Sequence, residues 1–233
     1  KTGYVDIEAL RGVDAVIHLA GVGVGDKRWT KKYKSEILNS RLLGTTAIAK
    51  AVAEVKPQVF ISASAIGWYG ESGNRSVVES DRVGDDFLAA VCREWEAAAD
   101  LAGSVRTVKI RTGLVLDPTG GALGKMLPLF RLGLGGKLGS GKQWWSWITL
   151  HDVIRAISLL LDSKVEGPVN LTAPNPVTNQ EFTSALARAM HRPALFPAPA
   201  LGLKIALGGF SSEILGSKKV IPQVLTDSGF TWD

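Results

Sequence analysis

Residues Asp14–Ala20, DAVIHLA, form a short apolar run that ends at Gly21. A run of this length without polar alternation reads as a strand buried on both faces of a parallel sheet. Working outward, the segment from Trp29 to Val55 is free of proline and carries apolar residues at Ile37, Leu38, Leu42 and Ile48. It reads as a long helix, with Gly44 the place where a break would fall, and Pro57 stops it. Gln58–Ser64, QVFISAS, is the next strand, and Gly67-Trp68-Tyr69-Gly70 is a loop whose glycines let the backbone turn or approach a neighbour. Asp85 to Ala102 reads as a second helix, acidic in its first turn as the helix dipole favours, and Val105 to Leu116 as a third strand. Buried strands joined by helices of this length imply right-handed crossovers onto one sheet, which is a doubly wound α/β architecture.

After Gly121 the alternation stops. Leu123 to Leu132 looks helical, Gly133 to Gly141 is glycine-rich, and Gln143–Ile148 (QWWSWI) is aromatic. His151 to Leu161 is an amphipathic helix and Gly167 to Leu171 a short strand. Thr178 to Met190 is a helix with Thr178 as N-cap and Glu181 three residues on, the signature of a capping box. We therefore expect a Rossmann-like core over residues 1–150 and a smaller α/β lobe over residues 151–233, interleaved with it.

Composition narrows the function classes. The 233 residues are 45% hydrophobic and 21% charged, as in globular chains. The net charge of +5 comes from lysines and arginines spread along the chain, so no nucleic-acid or membrane partner is implied, only weak attraction to anions. A single cysteine, Cys92, excludes an internal disulfide, and no Cys/His cluster has metal-ligand spacing, so no metal is expected. With no apolar run of about 18 residues and no signal-peptide layout at Lys1, the chain reads as cytoplasmic, or of an organelle matrix after transit-peptide removal.

In order and spacing, DAVIHLAG (Asp14–Gly21), SASAIGWYG (Ser62–Gly70), RTGLVL (Arg111–Leu116) and LGSGKQWWSWITLHD (Leu138–Asp152) resemble the extended short-chain dehydrogenase/reductase superfamily. DKRWT (Asp26–Thr30), FLAAVCREWE (Phe87–Glu96), GGALGKMLPLFRLGLGG (Gly120–Gly136) and IPQVLTDSGF (Ile221–Phe230) narrow this to its atypical branch, the epimerase family or nucleoside-diphosphate-sugar epimerase-like proteins, with a C-terminal domain of unknown function. The resemblance covers essentially the whole chain. It implies NADP, or NAD, held at Leu19, Ala20, Gly21, Ser62, Ala63, Arg111 and Gly113, a small-molecule substrate met by Trp68, Lys142 and Trp145, and a homodimer through paired helices.

Two departures from that pattern stand out. The glycine-rich GxxGxxG turn that cradles a dinucleotide pyrophosphate is absent, because Gly21, Gly23 and Gly25 follow a later strand of the family pattern. A strand, turn and helix of about fifty residues is expected upstream of Lys1. The second departure is catalytic. The superfamily's YxxxK helix, whose lysine lowers the tyrosine pKa, here has Phe87 or Leu88 at the tyrosine position and Val91 or Cys92 at the lysine position. Ser64 aligns with the catalytic hydroxyl, and Tyr69 lies just downstream as a replacement proton donor.

Each candidate has a plainer structural reading. Cys92 is expected to be an inert buried residue, His18 a core imidazole, and His151 with Asp152 a helix start. Arg111 is either a ligand contact at the carboxyl end of its strand or one half of a buried ion pair. Trp68 and Tyr69 pack or touch ligand, and the Trp144, Trp145 and Trp147 cluster is a substrate surface or a wall between lobes. In sugar-nucleotide enzymes an arginine that grips the diphosphate stands where this chain has Trp145, and Lys142 replaces it only as a point charge. The expectation is therefore an NAD(P)-dependent oxidoreductase or epimerase-like enzyme acting on a small carbonyl or alcohol. Its rival is a cofactor-binding sensor or scaffold without turnover.

Overall fold

A computed structural model describes residues 4–233. The chain runs β1 (Ala15–His18), α1 (Lys31–Val55), β2 (Val59–Ala65), β3 (Ser76–Val77), α2 (Phe87–Ala99), β4 (Thr107–Thr112), β5 (Leu114–Leu116), α3 (Gly121–Arg131), β6 (Trp144–Trp145), β7 (Trp147–Thr149) and α4 (Leu150–Asp162). There follow β8 (Gly167–Leu171), β9 (Val177–Thr178), α5 (Asn179–Ala189), α6 (Ala200–Leu207), α7 (Ser211–Leu215), β10 (Lys219–Val220) and α8 (Gln223–Asp227). The central sheet has the order β1-β2-β4-β8, all parallel.

Its two faces are covered by different helices, as a doubly wound sheet requires. Phe60 and Val16 point toward α1 and the turn after α2, where Ala49, Val52, Ala99 and Ala102 complete one core. Ile61, Val108, Ile110, Val169 and Leu171 point the other way, onto Ala156 and Leu160 of α4 and onto Leu225 and Phe230 near the C-terminus. Because successive strand residues alternate faces, continuous apolar runs are what two covered faces demand.

Helix starts follow local chemistry. The side chains of Thr30, Asp86, Thr149 and Thr178 each accept a backbone N–H three residues on, and the Thr178–Glu181 pair forms the expected capping box. α1 runs unbroken through Gly44, contrary to the expected break. A Cβ there would lie 3.7 Å from the His18 ring, in ordinary van der Waals contact, so the position tolerates the helix without a break.

The expected single strand from Val105 to Leu116 is instead two. Gly113 donates its N–H to Leu171 O while Leu114 donates to Ser146 O, which moves β5 off the central sheet onto β7. A Cβ at Gly113 would come within 2.6 Å of Ser146 O and 2.8 Å of Thr172 Cγ2, so only glycine fits this crossing. The sheet's last strand, β8, lies past residue 150, so the core itself extends beyond that point. The tail is mainly helical, and its strand β10 pairs in parallel with β3.

Candidate functional site

At the carboxyl ends of β2 and β4 lies a buried polar network. Glu96, from α2, accepts the Ser64 hydroxyl at 2.7 Å and two donors of Arg111, Nε at 2.8 Å and Nη2 at 3.0 Å. Arg111 Nη1 donates to Tyr69 Oη at 3.1 Å and to Glu79 O at 3.0 Å, and its guanidinium stacks 3.9 Å from the Trp68 ring centroid. Tyr69 Oη donates to Asn170 Oδ1 at 2.7 Å. The Glu79 carboxylate in turn accepts from the backbone of Asn170, Gln223 and Val224, which ties α8 to the sheet.

This geometry bears on the expected residues one by one. Arg111 is 2% exposed and forms a bidentate ion pair with Glu96 inside the protein, the arrangement of the second of its two readings. Ser64 is 4% exposed with its proton directed at Glu96. Tyr69 is buried, and burial pushes its phenol up to about 12 against the counter-pull of Arg111. Ser62 and Ala63 are buried with it, whereas Leu19, Ala20 and Gly21 are exposed at the carboxyl end of β1.

The four candidate proton-relay positions divide between two faces of α2. Leu88 and Cys92 face the turn that follows Ser64, where a Cβ on Gly67 would meet Leu88 Cβ at 3.2 Å and Cys92 Sγ at 3.5 Å. Phe87 and Val91 pack instead with Tyr33 and Ile37 of α1. Cys92 is buried, its thiol points at Ala65 O at 3.6 Å, and burial pushes its pKa up to about 12. Burial lowers the pKa of the His18 imidazole.

The substrate residues lie apart from one another. Trp68 covers Arg111 and donates its indole N–H to Asp81 O. Trp145 packs on Phe182 of α5 at 5.3 Å, and Lys142 is exposed in the preceding turn. None of the three lines the cleft of about 530 Å³ that opens at the start of α2 between the core and the α6–α7 segment. That cleft is bounded by Trp29, Lys34, Phe87 and Leu88 on one side and by Lys204, Gly208, Gly209, Ser211, Ser212 and Glu213 on the other, with Asp86 at its floor. Glu79, Glu96, Asn170, Lys34 and Lys204 are among the members that sequence reading missed. Glu96 alone had a signal, as the last residue of the FLAAVCREWE motif.

The small residues at the carboxyl ends of β1, β2 and β4 are compatible with a dinucleotide. Leu19 to Gly21 are open to it, and the buried Thr172 Oγ1 beside Gly113 has no hydrogen-bond partner. Among the described residues there is no group of side chains able to hold a metal and no helix long and apolar enough to cross a membrane.

Comparison with known proteins agrees with this fold. Residues 6–172 match the NAD dependent epimerase/dehydratase family, and residues 198–233 match a domain of unknown function, DUF1731. An epimerase family protein of Mycobacterium leprae is 42% identical over 235 residues, covering 99% of this chain and 76% of the relative. The chloroplastic SDR39U1 homolog of Arabidopsis thaliana is 40% identical over 227 residues, covering 95% and 65%. The crystal structure of human epimerase family protein SDR39U1 (isoform 2) with NADPH superposes with a TM-score of 0.93 at 33% identity, covering 98% of this chain and 82% of that one.

Proposed function

This chain belongs to the NAD dependent epimerase/dehydratase family, and from that premise we propose that it is an NADP-dependent oxidoreductase or epimerase-like enzyme acting on a small carbonyl or alcohol. NAD is the alternate cofactor, and a reducing compartment such as the cytoplasm is the setting. The observation that carries the reading is the exposed stretch Leu19 to Gly21 at the carboxyl end of β1 in a parallel sheet, the edge at which doubly wound folds bind their ligands. Its likeness to a human relative solved with NADPH supports the choice of NADP.

A nicotinamide dinucleotide held at Leu19, Ala20 and Gly21 would supply hydride chemistry at the carbon that bears the reacting oxygen. The chain's own part is to position and to exclude. Ser64 and Tyr69 belong to the frame beneath the crevice, because the Ser64 hydroxyl donates to Glu96 and the Tyr69 hydroxyl donates to Asn170 while accepting from Arg111. Phe87 and Leu88 wall the cleft, and with both hydroxyls engaged in the frame the proton for the substrate oxygen would come from solvent. The test is titration with NADPH, followed by tryptophan quenching, and then NADPH consumption across a panel of aldehydes and ketones. Binding followed by consumption supports the reading, and no quenching by either dinucleotide overturns it.

A second reading is favoured by one observation: whether the relay positions are Phe87 and Val91 or Leu88 and Cys92, packed side chains without a phenol or an ammonium stand there. A cofactor-binding protein without turnover would bind NADPH and consume none with any carbonyl.

A further inference from the structure

The cleft at the start of α2 carries an excess of positive charge, because Lys34, Lys204 and the adjoining Arg28 and Lys218 stand against two acids, Asp86 and Glu213. Asp86 caps α2 by accepting the Ala89 N–H at 2.8 Å. Glu213 accepts Lys218 Nζ at 2.8 Å, and the Lys218 side chain is only 7% exposed. Lys34 is half-buried, with its ammonium over the Phe87 ring at 4.7 Å and the Trp29 ring at 5.4 Å. Lys204 stands on the opposite wall, and Arg28 lies against Gly208, where a Cβ would meet its Nε at 2.8 Å. Among the described residues, none of these three cations enters an ion pair.

The rest of the lining is aromatic and apolar. Trp29 and Phe87 meet edge-on at 5.2 Å, and Leu88 continues the same wall. A volume of about 530 Å³ suits a small organic molecule. We propose that this cleft binds a small carboxylate with a flat apolar body, its carboxylate between Lys34 and Lys204 and its body against Trp29, Phe87 and Leu88. A half-buried ammonium held over two rings is partly stripped of water, so a carboxylate that reaches it gains more than at an exposed lysine. A neutral isostere would leave both cations without a counter-charge.

The inference rests on the reading above in one respect: the acid is taken to be the carbonyl substrate beside the bound cofactor. Its test uses phenylpyruvate against benzyl methyl ketone, which keeps ring and ketone but lacks the carboxylate, titrated calorimetrically into NADPH-saturated protein. Phenylpyruvate should bind about tenfold or more tightly than the neutral ketone, and the ratio should collapse toward one in Lys34→Met. Lys204→Met, on an exposed helix, is the second variant and should lower the ratio without touching the fold. Equal affinities, no saturable binding of either probe, a preference that survives both substitutions, or loss of phenylpyruvate binding when NADPH is added would each overturn the proposal. Repeating the pair of titrations on cofactor-free protein separates the two readings. Failure to bind NADPH sinks the functional assignment alone, while an absent carboxylate preference there sinks this one.

Discussion

Arg111 shows how one buried charge organises its surroundings. All three of its nitrogens donate inward, onto Glu96, Tyr69 and the Glu79 carbonyl, and an arginine sealed off in this way is tolerable only with a counter-charge in contact. Glu96→Ala should therefore destabilise the protein by about 3–5 kcal/mol, read as a lower urea midpoint. Tyr69→Phe removes one bond to Asn170 and one from Arg111 and should cost about 1–3 kcal/mol, with NADPH affinity unchanged. A loss of NADPH binding in that variant would return the phenol to the ligand site. Tyr69 also makes an alkaline prediction. Its folded pKa of about 12 lies above the ordinary 10, so its contribution is complete below pH 10 and is lost as pH rises from 10 through 12. The wild type should lose thermal stability across that window more steeply than Tyr69→Phe. Cys92, whose thiol is pushed up to about 12 by burial, should resist a thiol-specific disulfide reagent at pH 8 until denaturant opens the fold. Ser64 and Tyr69 were recognisable from the motif, yet the direction of their hydroxyls was not, since each is set by a partner far away in the chain.

Helices and strands were legible where their signals are local. Thr178 with Glu181 marks the start of α5 because both halves of the cap lie within one turn, and Thr178→Ala should lower stability by about 1 kcal/mol, measured as a shift in the thermal midpoint. Gly44 and Gly113 misled in opposite directions for one reason. A glycine announces freedom or a close neighbour, and the sequence does not say which. At Gly44 the neighbour is the His18 ring and the helix continues, whereas at Gly113 the neighbours are Ser146 O and Thr172, and the strand divides. Gly113→Ala should accordingly push β5 from β7 and lower stability by more than a surface glycine replacement such as Gly73→Ala, whose Cβ would meet nothing within 4 Å. The comparison by urea unfolding is clean only if Gly73's own positive φ of 57° is counted, which makes it a demanding control.

For the molecule as a whole, ligand linkage supplies the broadest test. If the crevice binds NADPH, adding it at about 100 times its dissociation constant should stabilise the fold by about 2.7 kcal/mol, seen as a rise in melting temperature that an unrelated nucleotide does not reproduce. The parallel sheet, the helices that cross over it and the capping of α5 could be read from residue order, because periodicity, caps and breakers act over a few neighbours. The joining of Glu79 to α8, of Arg111 to Glu96, and of Trp29 and Phe87 to the α6–α7 segment could not. Such contacts link positions remote along the chain, and a side chain's charge or hydroxyl has no fixed role until packing decides whether it faces a counter-ion, a carbonyl or an open cleft.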